Sequence, residues 1–481
     1  MIFRMLLFGA TGDLAGRFLL PALAALLEQG KLADDFRLVG CAPEAWDDDQ
    51  FRTHAAHRLG EHAKDVAPEI RDRLLDALGY RQADIQDADR VAELVQGIGA
   101  PLAAYIALPA SLFPDAIRNI GSHLPEGSRL VLEKPFGENL ASARALNALI
   151  GECLGRHADE MLYRVDHALG MGTISRLIAL RNDDRFFERV WGGGDVAEID
   201  ILWEETLGLE GRAGFFDQTG TMRDVMQNHM LQLLALTAME TPRNEGGLAA
   251  AKRDLLAAIP TVPADRLPQV VQKARYTAGW LADGRYVGSY KDEEGVEADR
   301  GTETFAEVLL TIENERWKGT RVRLRAGKAL AERNKGVVLR FKPPEQEHTP
   351  DRLGVDELRI GIDGPRTTEL RLAGTTEFGR DGEEPMLFAA APPATELDAY
   401  GNVLADILSG GSALSVSAGE EEEAWRILDP IVRAWGADQV PTGSYEAGSD
   451  GPPRLSAIAD QNHSRTPVSR LQLPESSPSS C

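Results

Sequence analysis

The segment LLFGATGDLAG at residues 6–16 constrains this chain more tightly than any other. A short apolar run at 4–8 leads straight into Gly9, Gly12 stands where a helix would begin, and Ala15 follows where close packing needs a small residue. A strand that turns on glycine into a helix has few uses. Glycine lets the backbone approach a ligand, and a helix start presents N–H groups that the helix itself leaves unsatisfied. Such a turn suits an anion, and GxxGxxA placed after a strand is a variant of the dinucleotide fingerprint. Gly9, Ala10, Thr11, Gly12, Asp13 and Leu14 are the expected cradle of a dinucleotide cofactor.

The next part of the chain fits that start. Apolar runs at 36–40, 103–108, 128–132 and 161–165 alternate with helical patterns such as 14–28, the mark of a parallel sheet wound with helices. Each run is nearly continuous, as expected when helices cover both sheet faces. Beyond residue 170 the pattern changes to longer strands at 197–203, 304–312, 321–325, 337–341 and 358–362, interrupted by helical stretches at 222–239 and 420–435. That is antiparallel-sheet behaviour. The expected fold is an α/β dinucleotide-binding domain over 1–170, then a larger α+β domain with a mainly antiparallel sheet over 171–465. The Ser- and Pro-rich end, 466–481, cannot build a core and is expected to be disordered.

With 52 Lys and Arg against 75 Asp and Glu, the formal charge is −23, and no basic block occurs. Nucleic acid and anionic membrane are therefore poor partners. No apolar run approaches the roughly 20 residues that span a bilayer, and the opening MIFRMLLF reads as a first strand rather than a signal peptide. Cys41, Cys153 and Cys481 are too scattered for a disulfide framework or a metal site. The expectation is a cytoplasmic protein that binds a small molecule and no metal.

The end of the second strand, LVGCAPEAW, bears on the choice of cofactor. A 2′-phosphate calls for an arginine and a bare ribose for an acid. This stretch offers Pro43 and Glu44 and no cation before Arg52, so NAD is favoured over NADP. Further on, LVLEKPFG sets Lys134 and Pro135 at a strand end, where a cis bond is permitted and would aim Lys134 into the crevice. YRVDHALG places Asp166 and His167 at another strand end, on the side where open parallel sheets keep their ligands. TMRDVMQNHMLQ reads as the start of an apolar helix, with Asp224 and Asn228 on one face and His229 about 100° away. Polar groups entering an apolar helix are costly unless satisfied or used. Two imidazoles and two carboxylates suit a reaction that removes a hydroxyl proton, with a carboxylate orienting the basic ring.

The tags GATGDLA, YIALP, EKPFG, RVDH-LG, EGR-GFFD, RDVMQNH, ENERW, GKAL-ER and EAWRI, in this order from residue 9 to residue 427, resemble the glucose-6-phosphate dehydrogenase family over nearly the whole chain. The resemblance implies a Rossmann domain, a sheet domain used for assembly into a homodimer or homotetramer, and oxidation of a sugar or sugar phosphate at the anomeric carbon to a lactone. It makes His229 the general base and Asp166 its partner, with His167 on the substrate phosphate. Lys134 would bridge substrate and cofactor, Glu205 and Asp224 would hold sugar hydroxyls, and Lys328 and Arg333 would be substrate-side cations. Leu108 and Pro109 of YIALP, with Lys134 and Pro135 of EKPFG, would border the cofactor.

The departures from the family pattern are as informative. The family's DHYLGK is DHALGM here, so a tyrosine and a lysine that grip the sugar phosphate are Ala168 and Met171. The family's arginine for the 2′-phosphate is Pro43, and a substrate-side glutamine position holds Asp363, a carboxylate suited to an amino sugar. Two other readings stay open: a sugar oxidoreductase of the inositol dehydrogenase type, acting on a ring hydroxyl, and a non-catalytic sugar- or dinucleotide-binding relative. Each lost charge-assisted hydrogen bond is worth roughly 1.5–3 kcal/mol, about ten- to a hundred-fold in affinity. Steady-state kinetics of the double variant Ala168→Tyr with Met171→Lys should show kcat/KM for glucose 6-phosphate raised within that range. An unchanged value would place the discrimination elsewhere in the pocket.

Overall fold

In the computed structural model the described residues are 1–182, 185–211, 213–242, 247–343, 355–363, 368–373, 386–390 and 397–455. The first six strands are β1 (Arg4–Phe8), β2 (Arg37–Ala42), β3 (Leu78–Gln82), β4 (Leu102–Ile106), β5 (Arg129–Glu133) and β6 (Leu162–Val165). They form one sheet in the order β3-β2-β1-β4-β5-β6. Every neighbouring pair is parallel. All six strands therefore end on the same sheet edge.

The continuous apolar runs are explained by two cores, one on each face. Met5 and Leu7 enter one with Ala103, Tyr105 and Val131, while Leu6 and Phe8 enter the other with Ala104, Ile106, Leu130 and Leu132. Successive side chains of a strand point to opposite faces, so each strand feeds both cores. The helix expected at 14–28 is present in two windings, a π segment at Ala15–Leu19 followed by an α segment at Leu20–Glu28. The strand β3 and the helices Asp48–His62 and Ala88–Ile98 lie between runs that the hydrophobic pattern did single out.

The second sheet contains β7 (Val196–Glu204), β8 (Val271–Thr277), β11 (Phe305–Thr311), β12 (Arg321–Gly327), β13 (Asn334–Phe341), β14 (Glu357–Asp363), β15 (Thr368–Leu372), β16 (Met386–Ala390) and β17 (Thr442–Glu446). Between them β9 (Gly279–Trp280) and β10 (Tyr286–Val287) form a small hairpin. The nine strands run β16-β15-β14-β13-β7-β12-β11-β8-β17. The sheet is mostly antiparallel, as read from the sequence, but β7–β12 and β8–β17 pair in parallel. Those parallel pairs need long connections, which is where the helices of this part of the chain are found.

One face of this sheet is apolar and the other charged. Ile199, Ile201 and Trp203 of β7 join Val322, Leu324 and Ala326 of β12 in a core shared with the helices Leu231–Ala238 and Ala418–Gly436. On the opposite face Arg323 pairs with Glu198 at 3.0 Å and Asp200 at 3.2 Å, and Arg325 pairs with Glu204 at 2.7 Å. Glu307 accepts from both arginines. Desolvated charges cost several kcal/mol unless paired and hydrogen-bonded, and each of these groups has at least two partners or a close fork.

A late helix, Ala399–Ser409, crosses back to the first sheet, where Tyr400, Val403, Leu404, Ile407 and Leu408 share the core of Met5, Leu7 and Leu20. Ile2 donates its N–H to Leu408 O at 2.7 Å. The start of this helix packs so closely on Gly170 that a Cβ there would lie 2.1 Å from Ala399 O. Among the described residues, no helix is long and apolar enough to cross a membrane. The tail expected at 466–481 lies outside the described residues.

Candidate active site

The C-terminal edge of the first sheet meets one end of the second sheet, and the polar residues singled out in the sequence gather at that junction. Asp166 follows β6 with extended backbone and starts the short helical turn His167–Gly170. Its Oδ1 accepts from Ala168 N at 3.0 Å and pairs with His229 Nδ1 at 2.5 Å. Both side chains are buried. Because a carboxylate can only accept, the neutral ring donates Nδ1–H, which leaves Nε2 as a proton acceptor.

His229 arrives there through a helix wound differently from the one expected. Met222–Met230 is π-helical, and Asn228 Nδ2 donates to Arg223 O five residues back at 3.1 Å. The α-helical estimate of a 100° separation is therefore replaced by a winding in which residues five apart come together one turn on. Asp224 and His229 are such a pair, and each influences the charge of the other. The helix enters beside Gly220, whose φ of +65° and closeness to Glu303 leave no room for a side chain.

Around the pair, Trp203 stacks on His229 at 5.1 Å and 25°, and His167 meets it edge-on at 4.6 Å. Lys134 Nζ donates to Asp224 O at 2.6 Å and approaches its Oδ1 at 3.4 Å. The Lys134–Pro135 peptide is cis, as the sequence suggested. Glu205, just past β7, is held between Lys328 at 2.6 Å and Lys335 at 2.7 Å. Since β12 runs parallel to β7 and β13 antiparallel, the ends that carry Glu205, Lys328 and Lys335 coincide. Tertiary register alone creates this cluster.

The charges tune one another. Burial lowers the pKa of His229, Asp166 opposes this, and Lys134 adds to the lowering. Burial also drives His167 down to about 3, reinforced by His229 and Lys134. Burial would raise Asp166, but His229, His167 and Lys134 outweigh it and hold the carboxyl below its ordinary value. Glu205 resists burial in the same manner, and its two lysines bring it to about 2. The result is neutral imidazoles among ionised carboxylates and lysines.

The sequence-derived residues divide by location. Asp166, His167, His229, Lys134 and Asp224 converge, and Glu205 with Lys328 forms the neighbouring wall. Arg333 is exposed in the turn between β12 and β13. Asp363 ends β14 with its backbone opposite Lys335, and its side chain lies outside the described residues. Three contributors escaped the sequence reading. Trp203 was only a strand residue, Lys335 opens a strand without a motif, and Tyr400 comes from a helix 233 residues beyond His167 in a segment with no polar signature. Tyr400 stacks on His167 at 5.4 Å and 23°.

The glycine turn expected to cradle a dinucleotide is closely packed. Gly9 has φ +79°, and a Cβ there would lie 2.3 Å from Ala107 O. No side chain caps the helix start at Leu14. Within the turn, Gly9 and Ala10 donate to Cys41 O and Gly12 donates to Gly9 O, so the donors left for an anion are those of the uncapped helix start, at the strand-end edge where a dinucleotide usually lies. Leu108 and Pro109 follow β4 there, and Asp13 is tied to Arg58 at 2.8 Å. Thr11 Oγ1 donates to Glu44 Oε1 at 3.3 Å, which brings that acid beside the glycine turn. These residues fit a dinucleotide.

Comparison with known proteins places this geometry. Residues 6–175 match the family model for the glucose-6-phosphate dehydrogenase NAD binding domain, and residues 178–466 match that for the glucose-6-phosphate dehydrogenase C-terminal domain. Glucose-6-phosphate 1-dehydrogenase 2 of Mycobacterium bovis is 35% identical over 93% of this chain and 91% of its own length. Glucose-6-phosphate 1-dehydrogenase of Rhizobium meliloti is 32% identical, covering 96% of each chain. A solved glucose-6-phosphate dehydrogenase in complex with its substrate glucose-6-phosphate superposes with a TM-score of 0.84 at 26% identity, over 96% of this chain and 98% of the other. With both domains matched in order and a nearly full-length likeness to these relatives, the chain belongs to the glucose-6-phosphate dehydrogenase family of oxidoreductases.

Proposed function

We propose that the protein oxidises the anomeric carbon of a hexose or hexose 6-phosphate to a lactone, with NAD preferred to NADP and His229 as the base. The observation that carries this reading is the buried His229–Asp166 pair at 2.5 Å, set between Lys134 and the Glu205 wall. His229 Nε2 takes the proton of the C1 hydroxyl while the C1–H bond breaks and C1=O forms. Bound nicotinamide supplies the acceptor for that hydride. Asp166 fixes the tautomer and stabilises the imidazolium, as in other His–Asp arrangements. Asp224 and Glu205 accept from sugar hydroxyls, and Lys134 sits between sugar and cofactor.

Support for NAD comes from the adenosine end. Glu44 stands beside the glycine turn to receive ribose hydroxyls. The nearby cations have other commitments. Arg52 donates to Leu78 O at 2.9 Å, Arg81 pairs with Asp48 at 3.2 Å, and Arg58 with Asp13. At the other end His167 is neutral at physiological pH, and Met171 packs against the apolar core of the second sheet. Both features support a weaker hold on phosphate than the family motif would give. The same reading makes the protein a homodimer or homotetramer, checked by light scattering.

His229→Asn should lower turnover about 10²–10⁴-fold with KM little changed, the usual worth of general-base catalysis. Near-normal turnover would remove His229 from its role. Incubation with hexoses and their 6-phosphates, each with NAD and NADP, followed by NMR of the product, tests the whole reading. A lactone and a higher kcat/KM with NAD are expected; a ketosugar would indicate ring-hydroxyl oxidation, and binding without turnover a non-catalytic role. Because the pKa of His229 is lowered, its basic form persists below pH 6.5. The limb over which kcat/KM falls away towards zero should therefore lie on the acid side of 6.5, and complete loss of activity above it would contradict the assignment.

A further inference from the structure

On the strand next to the one that leads into Asp166 lies a buried acid that no step above uses. Glu133 is the last residue of β5, 7% exposed, with its backbone opposite Val165, the residue before Asp166. Tyr105 of β4 donates to its Oε1 at 2.5 Å. Tyr400, from the helix that returns to the first sheet, gives it a second hydrogen bond. The ring of Tyr400 also stacks on His167, and Phe18 closes the far side of Tyr400 at 5.3 Å. One carboxyl thus ties the central strands, the returning helix and the imidazole beside the base.

We propose that Glu133 is a positioning residue that acts on His229 through Asp166, as a carboxyl whose negative charge supports the imidazolium formed when His229 accepts a proton. This rests on the reading of His229 as the base. A buried acid with two phenol donors and no cationic fork has no evident value as a structural ion pair; an apolar residue would fill the space at lower cost. Four groups decide its charge. Burial, helped by Asp166, outweighs Tyr105, Lys134 and Tyr400, which favour the ionised form, and the balance brings its pKa up to about 7. The two phenols stay neutral donors, because burial pushes both well above their ordinary value. Tyr163, which adds to the shift of Tyr105, is occupied by Asp406 at 2.7 Å.

The sign follows directly. Below pH 7 the carboxyl is largely protonated and adds no charge; above it a second negative charge lies near Asp166. Stabilising His229 in its protonated form lowers the barrier to proton abstraction. Glu133 therefore assists turnover on the alkaline side of neutrality and little on the acid side.

The test is the pH dependence of kcat for wild type and Glu133→Gln, which keeps the shape and removes the ionisation. The ratio of wild type to variant should climb about three- to tenfold between pH 6 and pH 8, with its midpoint near 7, since one pKa unit corresponds to a factor of ten. A ratio that is flat across that range, whatever its height, would make Glu133 a packing residue and overturn the proposal. Tyr105→Phe gives an independent measurement should the glutamine variant fail to fold. Removing a donor to the ionised form should move the inflection in kcat to higher pH, and an inflection that stays in place counts against the idea. His229→Asn separates the two levels: normal turnover there would sink the base assignment itself, whereas a flat Glu133 ratio beside an inactive His229→Asn would sink only this inference.

Discussion

One hydrogen-bonded pair, Asp166 with His229, joins the two parts of this molecule at the point where each has least freedom. Asp166 is fixed by the end of a central parallel strand, and His229 by a π-helical segment rooted in the core of the second sheet. A carboxylate buried without a partner would neutralise or unfold its surroundings, and a buried imidazole avoids charge for the same reason. Together they satisfy Oδ1 of the one and Nδ1 of the other. The junction of the sheets is held at bonding distance by a contact that also leaves Nε2 available.

The neighbouring charges follow from that constraint. Lys134, Lys328 and Lys335 each lie against Asp224 or Glu205. Such pairing lets lysines and carboxylates coexist with neutral histidines in a low-dielectric site, where isolated charges would be costly. Two aromatic rings, Trp203 and His167, brace His229, so its ring plane is set by packing as well as by its carboxylate. The returning helix Ala399–Ser409 completes the bracing through Tyr400, which makes the first sheet's core dependent on a segment far along the chain.

Legibility in the sequence followed the range of the interactions. Five of the six parallel strands could be read because each is a nearly continuous apolar run, with both cores claiming alternate residues, whereas the edge strand β3, LGYRQ, carries too few apolar residues to stand out. The glycine turn and the cis Lys134–Pro135 bond were visible because glycine and proline restrict the backbone within one or two residues. The π winding was not, since an α and a π helix share composition and differ only in how tertiary contacts settle the carbonyls. That difference moved His229 from a face apart from Asp224 to a position beside it. The parallel β7–β12 pairing was equally hidden, because side-chain alternation is the same for either strand direction.

The sequence by itself determined the local chemistry: a strand, turn and helix shaped for a dinucleotide, Pro43 and Glu44 with no arginine at the end of the second strand, and the Asp–His and helix-borne histidine motifs. Those are properties of a few adjacent residues. Tertiary structure alone decided which of these motifs meet. Lys335 joins Lys328 on Glu205 through the register of three strands, and Tyr400 reaches Glu133 and His167 from a helix more than two hundred residues away. Such encounters depend on packing surfaces that are apolar and unremarkable in sequence, so no motif announces them.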